Sequence, residues 1–333
     1  MIKKRNETLP FFNYTTFFVD DKLMFMGNGR FSTAFCRKSL YTSLSVADMI
    51  RFAMMVNPDY DIYKRSGYPD GYPIANQDAA SRIAIDMVQD GYYVDFVEML
   101  IKVDSQGYMG RRYELKGMNE IVTNVIQAGY SYDKTTGQFF ENQQERITKN
   151  WGRLLEGAER QMAVMRLDIA GNSTLVKENP GNLIEKAYGD LRKIVTRAVV
   201  SRLGRLWSWE GDGALGVFML GNYSRMAIFA GMEILNEMFL YNKIDNPLKS
   251  GIMLRLSVHS GNLAYSESET ECLKADTVRK AITLESKAAL PNSLVISESL
   301  AVTQDQALLD IFGSQKTAGA EKYRVYQVNQ KDN

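Results

Sequence analysis

From Met162 onward the hydropathy pattern switches repeatedly between the two periods a chain can bury, and the order of those switches constrains the fold more than any other feature. "AVMRLDIAG" is an apolar strand ending in Asp168, and residues 181–202 are helical after Pro180-Gly181. "GRLWSWEGDGALGVFM" is two short strands joined at Gly211-Asp212-Gly213, a hairpin signal. Residues 223–241 form an apolar helix, "IMLRLSVHSG" a strand, "LKADTVRKAITLESKA" a helix, "SLVISESL" a strand running into a helix, and "EKYRVYQV" a closing strand. The order β-α-β-β-α-β, with additions, predicts an α+β domain built on a ferredoxin-like sheet with helices on one face.

The first half reads differently. Residues 11–38 are strand-like, with a hairpin closed by Asp20-Asp21 and ended by Gly27-Asn28-Gly29. From Ser45 the pattern is helical: "SVADMIRFAMMV" starts with Ser45 and Asp48 at capping-box spacing and stops at Asn57-Pro58. Residues 40–130 read as a compact, mostly helical module whose Met and aromatic residues fill its core. In residues 141–162, Ile147, Trp151, Leu154, Leu155, Ala158 and Met162 recur at helical spacing and predict one amphipathic helix. It would pack on the chain's own body or pair with a second copy as a short parallel coiled coil. The domains expected are therefore 1–140, a helical regulatory or docking domain; 141–161, a connecting helix; and 162–330, the α+β domain.

Composition narrows the chemistry. One histidine, His259, makes Ser-His catalysis or a His-rich metal site unpromising, and two distant cysteines, Cys36 and Cys272, fit a reducing cytoplasm. A net charge of +1 gives no field for nucleic acid or an anionic membrane, and no apolar run approaches the roughly 20 residues a bilayer requires. Any metal ligands would be carboxylates, which suit hard cations. Asp168 and Asp212 would end neighbouring strands and converge, while backbone amides of residues 170–175 could receive a triphosphate. The glycines flanking Asp212 would leave metal and phosphates room to approach the backbone. Taken alone, Asp212 is equally readable as a turn residue.

Residues 162–328 resemble the class III nucleotidyl cyclase domain. "VMRLDIAGNSTL", "GRLWSWEGDGALGVF", "GIMLRLSVHSGNL", "ECLKADTVRKAITLESKAALPNSLVISES" and "KYRVYQV" carry the resemblance, in the family's order. It implies that Asp168 and Asp212 ligate two ions, Mg²⁺ or Mn²⁺, with Ile169 adding its carbonyl. Ala170, Gly171, Asn172, Ser173 and Thr174 would hold the phosphates. The substrate would be a nucleoside triphosphate, closed to a 3′,5′-cyclic nucleotide with release of pyrophosphate, in a head-to-tail homodimer with active sites at the interface.

The sequence also departs from the family. The base-reading lysine or glutamate position, four residues before Asp212, is Ser208, and the second base-reading position is Cys272, as in guanylate cyclases. The asparagine and transition-state arginine positions hold Arg279 and Thr283. Glu210 would share a strand face with Ser208, opposite Trp207 and Trp209. Lys316 matches the family's final phosphate-binding lysine or is a solvated loop residue. Arg279 would fill part of a purine pocket and offer donors to pyrimidine carbonyls. The pattern resembles pyrimidine cyclases of bacterial anti-phage signalling, which make cyclic UMP or cyclic CMP. The alternatives are a guanylate or adenylate cyclase, or a degenerate nucleotide-binding or dimerising module. The protein is expected to be cytoplasmic and to bind neither nucleic acid nor membrane, and His259 to be structural.

Overall fold

Apolar residues at helical spacing build the first half of the chain. The computed structural model describes residues 24–26, 29–144, 147–319 and 321–328. Strands β1 (Met24–Met26) and β2 (Gly29–Phe31) pair with Met26 opposite Gly29. They lead into helices α1 (Ala34–Ser43), α2 (Val46–Val56), α3 (Ile62–Ser66), α4 (Asn76–Gln89), α5 (Tyr93–Gln106) and α6 (Met118–Gln127). A hairpin of β3 (Tyr130–Asp133) and β4 (Gln138–Glu141) follows. Helix α2 shows the logic. Ser45 Oγ accepts from Asp48 N at 3.2 Å, an N-cap of about 1 kcal/mol, and Met49, Phe52 and Ala53 bury one face. They join Leu40, Ile83, Phe96 and Leu100 in one core. The expected turn at Asp20-Asp21 lies outside the described residues. Residues 34–38 are helical rather than strand-like, because Cys36 and Leu40, one turn apart, are both buried.

Residues 141–161 are not a connecting helix. Glu141 ends β4, residues 142–158 turn without helix in the described positions, and a strand begins at Glu159. The apolar residues are anchored one by one instead. The buried Glu141 carboxylate accepts from Thr148 N (3.1 Å), Thr148 Oγ1 (2.7 Å) and Arg205 Nη2 (2.9 Å). Trp151 turns left-handed at φ 54°, and its indole N–H donates to Leu203 O at 2.6 Å. Arg153, 2% exposed, reaches back to Asp95 (2.9 Å) and Glu98 (3.1 Å) on α5. Ile147, counted in the helical stripe, is 50% exposed. Left-handed residues at 151, 152 and 157 are incompatible with continuous helical hydrogen bonding.

The second half comprises β5 (Glu159–Ile169), α7 (Asn172–Glu178), α8 (Gly181–Val200), β6 (Arg205–Glu210), β7 (Gly213–Phe218), α9 (Tyr223–Ile244), β8 (Leu254–Ala264), α10 (Glu269–Lys274), α11 (Asp276–Ala288), β9 (Ser293–Ser297), α12 (Glu298–Ala301), α13 (Gln306–Phe312), β10 (Lys316–Ala318) and β11 (Glu321–Gln327). The sheet runs β10-β11-β9-β8-β5-β7-β6, antiparallel except for the β8–β9 pair. Its β8-β5-β7-β6 portion is the ferredoxin-like arrangement the element order implied. Helices cover both faces, not one. Ala163, Met165, Leu167 and Ile169 face α8 and α9, whereas Met162 and Val164 face Val278 and Ala281 of α11. β5 is buried on both sides, so its apolar run is continuous. No helix among the described residues is long and apolar enough to cross a membrane.

Candidate active site

Alternation along β5 puts Arg166 and Asp168 on the α11 face, since Leu167 and Ile169 fill the other core. β8 sets Arg255 directly opposite Asp168, and β7 sets Ala214 opposite Leu167. The β6–β7 turn therefore brings Asp212 to the same end of the sheet. Arg255 pairs with Asp168 through Nη2, and its Nε lies 2.9 Å from Glu285 Oε1 on α11. Burial raises the Glu285 carboxyl. Arg255 opposes that rise, while Asp168 and Asp212 add to it. The Arg255 guanidinium is held above its usual range, chiefly by its hydrogen bond to Asp168. Asp168, Asp212 and Glu285 thus gather with Arg166 and Arg255 at this end of the sheet.

The two glycines of the turn have different roles. Gly211 is left-handed at φ 55°, and no atom lies within 4 Å of where its Cβ would be. At Gly213 a Cβ would meet Arg166 Cζ at 2.7 Å. The room beside Asp212 is thus open at Gly211 and filled at Gly213 by a guanidinium of the chain itself, a correction to the expectation that both glycines make way for phosphates.

The donor set fits a hard cation sparingly. Asp168, Asp212 and the Ile169 carbonyl offer oxygen only. Among the described residues no three His, Cys, Asp or Glu side chains form a metal-binding group. Mg²⁺ commonly takes one or two carboxylates and completes its shell with water and substrate phosphates.

Residues 170–175 are less open than a free loop. Gly171, at φ 71°, starts the short helix α7. The amides of Ala170, Thr174 and Leu175 are bonded to Met253 O (2.8 Å) and Gly171 O (3.0 and 3.1 Å). Gly171, Asn172 and Ser173 remain at the helix start. Asn172 Oδ1 accepts from the Tyr188 hydroxyl, whose pKa is raised by burial and then by Asp212. Ser173 and Thr174 are exposed.

A β-bulge alters the base side. Leu206 pairs with Gly216 and Ser208 with Leu215, leaving Trp207 as the extra residue. Trp207 consequently packs in the α11-side core, with its indole N–H on Lys149 O at 3.0 Å, while Trp209 packs on the α8–α9 side under Arg192. The two tryptophans do not share a face, contrary to simple alternation. Ser208 is buried on the α11 side through its pairing with Leu215. Cys272 is buried in the core shared with Trp207, its thiol pKa raised by burial, with Sγ 3.2 Å from Ser266 O. Lys149, which sequence reasoning missed, spans β6 and α10 by donating to Trp207 O (2.8 Å) and Glu269 Oε1 (3.0 Å). The Glu210 side chain lies outside what is described.

Other expected residues sit apart from Asp168 within one chain. α11 buries Thr277, Val278, Ala281, Leu284 and Glu285, so Arg279 is exposed and Thr283 half-buried on its outer side. Lys316 is exposed on β10, four strands from β5, roughly 19 Å at about 4.8 Å per strand. His259 Nδ1 is 2.9 Å from Ser297 Oγ, and burial lowers its pKa. Arg166, Arg255 and Glu285 were also missed, although charges inside apolar strands are a signal in themselves.

No protein-family profile matches the chain, and no curated protein does. Solved structures do resemble it. The guanylate cyclase domain of RhGC from Catenaria anguillulae, in complex with GTP, is 18% identical, covering 52% of this chain and 98% of its own, at a TM-score of 0.43. The adenylyl cyclase CyaB from P. aeruginosa is 15% identical, covering 54% of this chain and 100% of its own, at 0.43. An adenylate/guanylate cyclase/hydrolase from Silicibacter pomeroyi is 19% identical, covering 52% of this chain and 99% of its own, at 0.42.

Proposed function

We propose that the protein is a nucleotidyl cyclase that converts a nucleoside triphosphate to a 3′,5′-cyclic nucleotide and pyrophosphate. The observation carrying this is the convergence of Asp168 and Asp212 at one end of the sheet, beside Arg166 and Arg255. Asp168, Asp212 and the Ile169 carbonyl would hold Mg²⁺ or Mn²⁺, which supplies charge neutralisation for the triphosphate and acidifies the attacking hydroxyl. The chain's own part is positioning. Arg255 orients the Asp168 carboxylate through their ion pair, and Arg166 restrains the turn that carries Asp212. Gly171, Asn172 and Ser173 open toward the phosphates, with Tyr188 holding Asn172.

Arg279 and Thr283 look outward from α11, so a single chain does not gather the full set. We take the active unit to be a homodimer in which a second copy's α11 completes each site. Ser208 and Cys272 leave the base side without a charged reader, and Lys149 stands between their elements. Donors from Arg279 would suit pyrimidine carbonyls, giving cyclic UMP or cyclic CMP, of use in anti-phage signalling. Cys272 alone favours guanine.

Incubating the protein with each of the four triphosphates and Mn²⁺, with product mass measured, tests the proposal. A cyclic pyrimidine product supports the full reading, and cyclic GMP or AMP retains the cyclase but replaces the base. No cyclic product from any mixture overturns the activity and leaves a nucleotide-binding module.

A further inference from the structure

A second polar cleft of about 500 Å³ lies at the opposite end of the sheet, lined by Gln161, Gly221, Asn222, Tyr223, Ser224, Ser260, Ser299 and Thr303. Gln161 precedes Asp168 by seven residues, roughly 23 Å along the strand at about 3.3 Å each. Ser260 pairs with Ala163, so the cleft opens on the α8–α9 face, away from the Asp168 face.

The cleft sits at the N-terminus of α9, the longest helix among the described residues, at 22 residues. Asn222 caps the third amide, Arg225 N, at 3.3 Å. The amides of Tyr223 and Ser224, which open the helix, have no acceptor among the described residues. A second observation concerns the side chains. Ser224 is only 8% exposed, lines the cleft, and its hydroxyl has no hydrogen-bond partner among the described residues. The Ser260 hydroxyl likewise has no hydrogen-bond partner among the described residues. The main-chain groups are donors only, the hydroxyls can donate, and no charged side chain lines the cleft to repel an anion. A ligand satisfying them must be an acceptor, and the helix end favours negative charge.

From this geometry we infer that the cleft binds a small oxyanion of the phosphate class, held by the Tyr223 and Ser224 amides and the hydroxyls of Ser224 and Ser260. The turn it touches is joined to the helical half of the chain, because Gly221 N donates to Gln138 Oε1 at 3.0 Å. The site does not depend on the proposed cyclase activity.

Calorimetric titration of the full-length protein, free of metal and nucleotide, tests it with three probes: inorganic phosphate, methyl phosphate and sulfate. Saturable binding of inorganic phosphate is expected, retained in Asp168→Ala, weakened several-fold in Ser224→Ala, and weakened at least about tenfold in Ser260→Asp, where a like charge faces the anion. Binding of methyl phosphate with similar affinity points to a phosphoester as the source, and its exclusion points to the free ion. Either result supports the site. A melting temperature of Ser260→Asp close to that of the parent guards against misfolding, and Ser260→Ala with weaker binding serves if the aspartate does not fold. No saturable binding, or binding lost in Asp168→Ala and unchanged in Ser224→Ala and Ser260→Asp, overturns the inference.

Discussion

Replacing Gly213 with alanine should separate stability from activity, with Gly211→Ala as its control. At Gly211 the space is empty, but φ is 55°, so alanine carries a left-handed penalty of roughly 1 kcal/mol. At Gly213 the new Cβ would stand 2.7 Å from Arg166 Cζ and 2.9 Å from Nη1. Carbon contacts settle near about 3.5–4.0 Å, so the guanidinium must retreat by about 1 Å. It can do so, because Arg166 Nε has no hydrogen-bond partner among the described residues. The overpacking cost should therefore fall near the lower bound of its usual range, about 1 kcal/mol. Both variants should thus melt only a few degrees below the parent. Their activities should differ. Withdrawing a unit charge from about 4 to about 5 Å from a carboxylate changes the interaction by about 0.8 kcal/mol at an effective dielectric of 20, a factor of about four. Misplacing a positioning group by about 1 Å can cost as much as a hundredfold. Turnover of the preferred triphosphate with Mn²⁺ should fall between these limits in Gly213→Ala and less than about twofold in Gly211→Ala. Mn²⁺ affinity, measured by the loss of the free-ion paramagnetic signal, should move in the same order without needing turnover. Equal activity and equal Mn²⁺ affinity in the two variants would refute the claim that Gly213 exists to seat Arg166 beside Asp212.

Asp168→Ala and Asp212→Ala should abolish cyclic-nucleotide formation and leave far-UV circular dichroism unchanged; undiminished turnover in either removes that residue from the site. Arg153→Met should cost about 3 kcal/mol in denaturant unfolding, because it leaves Glu98 and the partly solvated Asp95 without their buried counter-ion; a loss below about 1 kcal/mol would show that the network is dispensable. Burial lowers the folded His259 pKa below its ordinary 6.5, so the unfolded chain takes up the proton first as pH falls. Stability from this group is present above about pH 6.5, declines as pH drops through 6.5 toward the folded value, and then levels off. His259→Gln should flatten that part of the melting profile between about pH 7.5 and pH 5.5, and an unchanged slope would place the dependence elsewhere.

What the sequence made legible is what obeys one period at a time. β5, β7, β8, α9 and α11 each hold one hydrophobic repeat over their length, and the strand order follows from them. The proximity of Asp168 to the hairpin tip follows from that order, without any side-chain detail. The failures share a different physics. Between residues 141 and 158 the apolar spacing is helical, but its backbone is decided by contacts far along the chain: Glu141 with Arg205, Trp151 with Leu203, Arg153 with α5. Such tertiary bonds overrode a local pattern, and the left-handed Trp151 is their mark. At Trp207 one extra residue in the ladder turns two tryptophans to opposite faces, and alternation of apolar residues contains no sign of an insertion. This matters most on the base side of the candidate site. Ser208 was singled out there for lacking a charge, on the assumption that the reader must come from the same strand. Lys149 comes from the misread segment, bonded to the carbonyl of the bulged Trp207 and to Glu269 on the helix that carries Cys272. The bulge and the misread segment are thus coupled: Trp207 packs in the same core as Trp151, and its carbonyl accepts from Lys149. Lys149 is therefore held between β6 and α10 by a segment whose fold no local period describes.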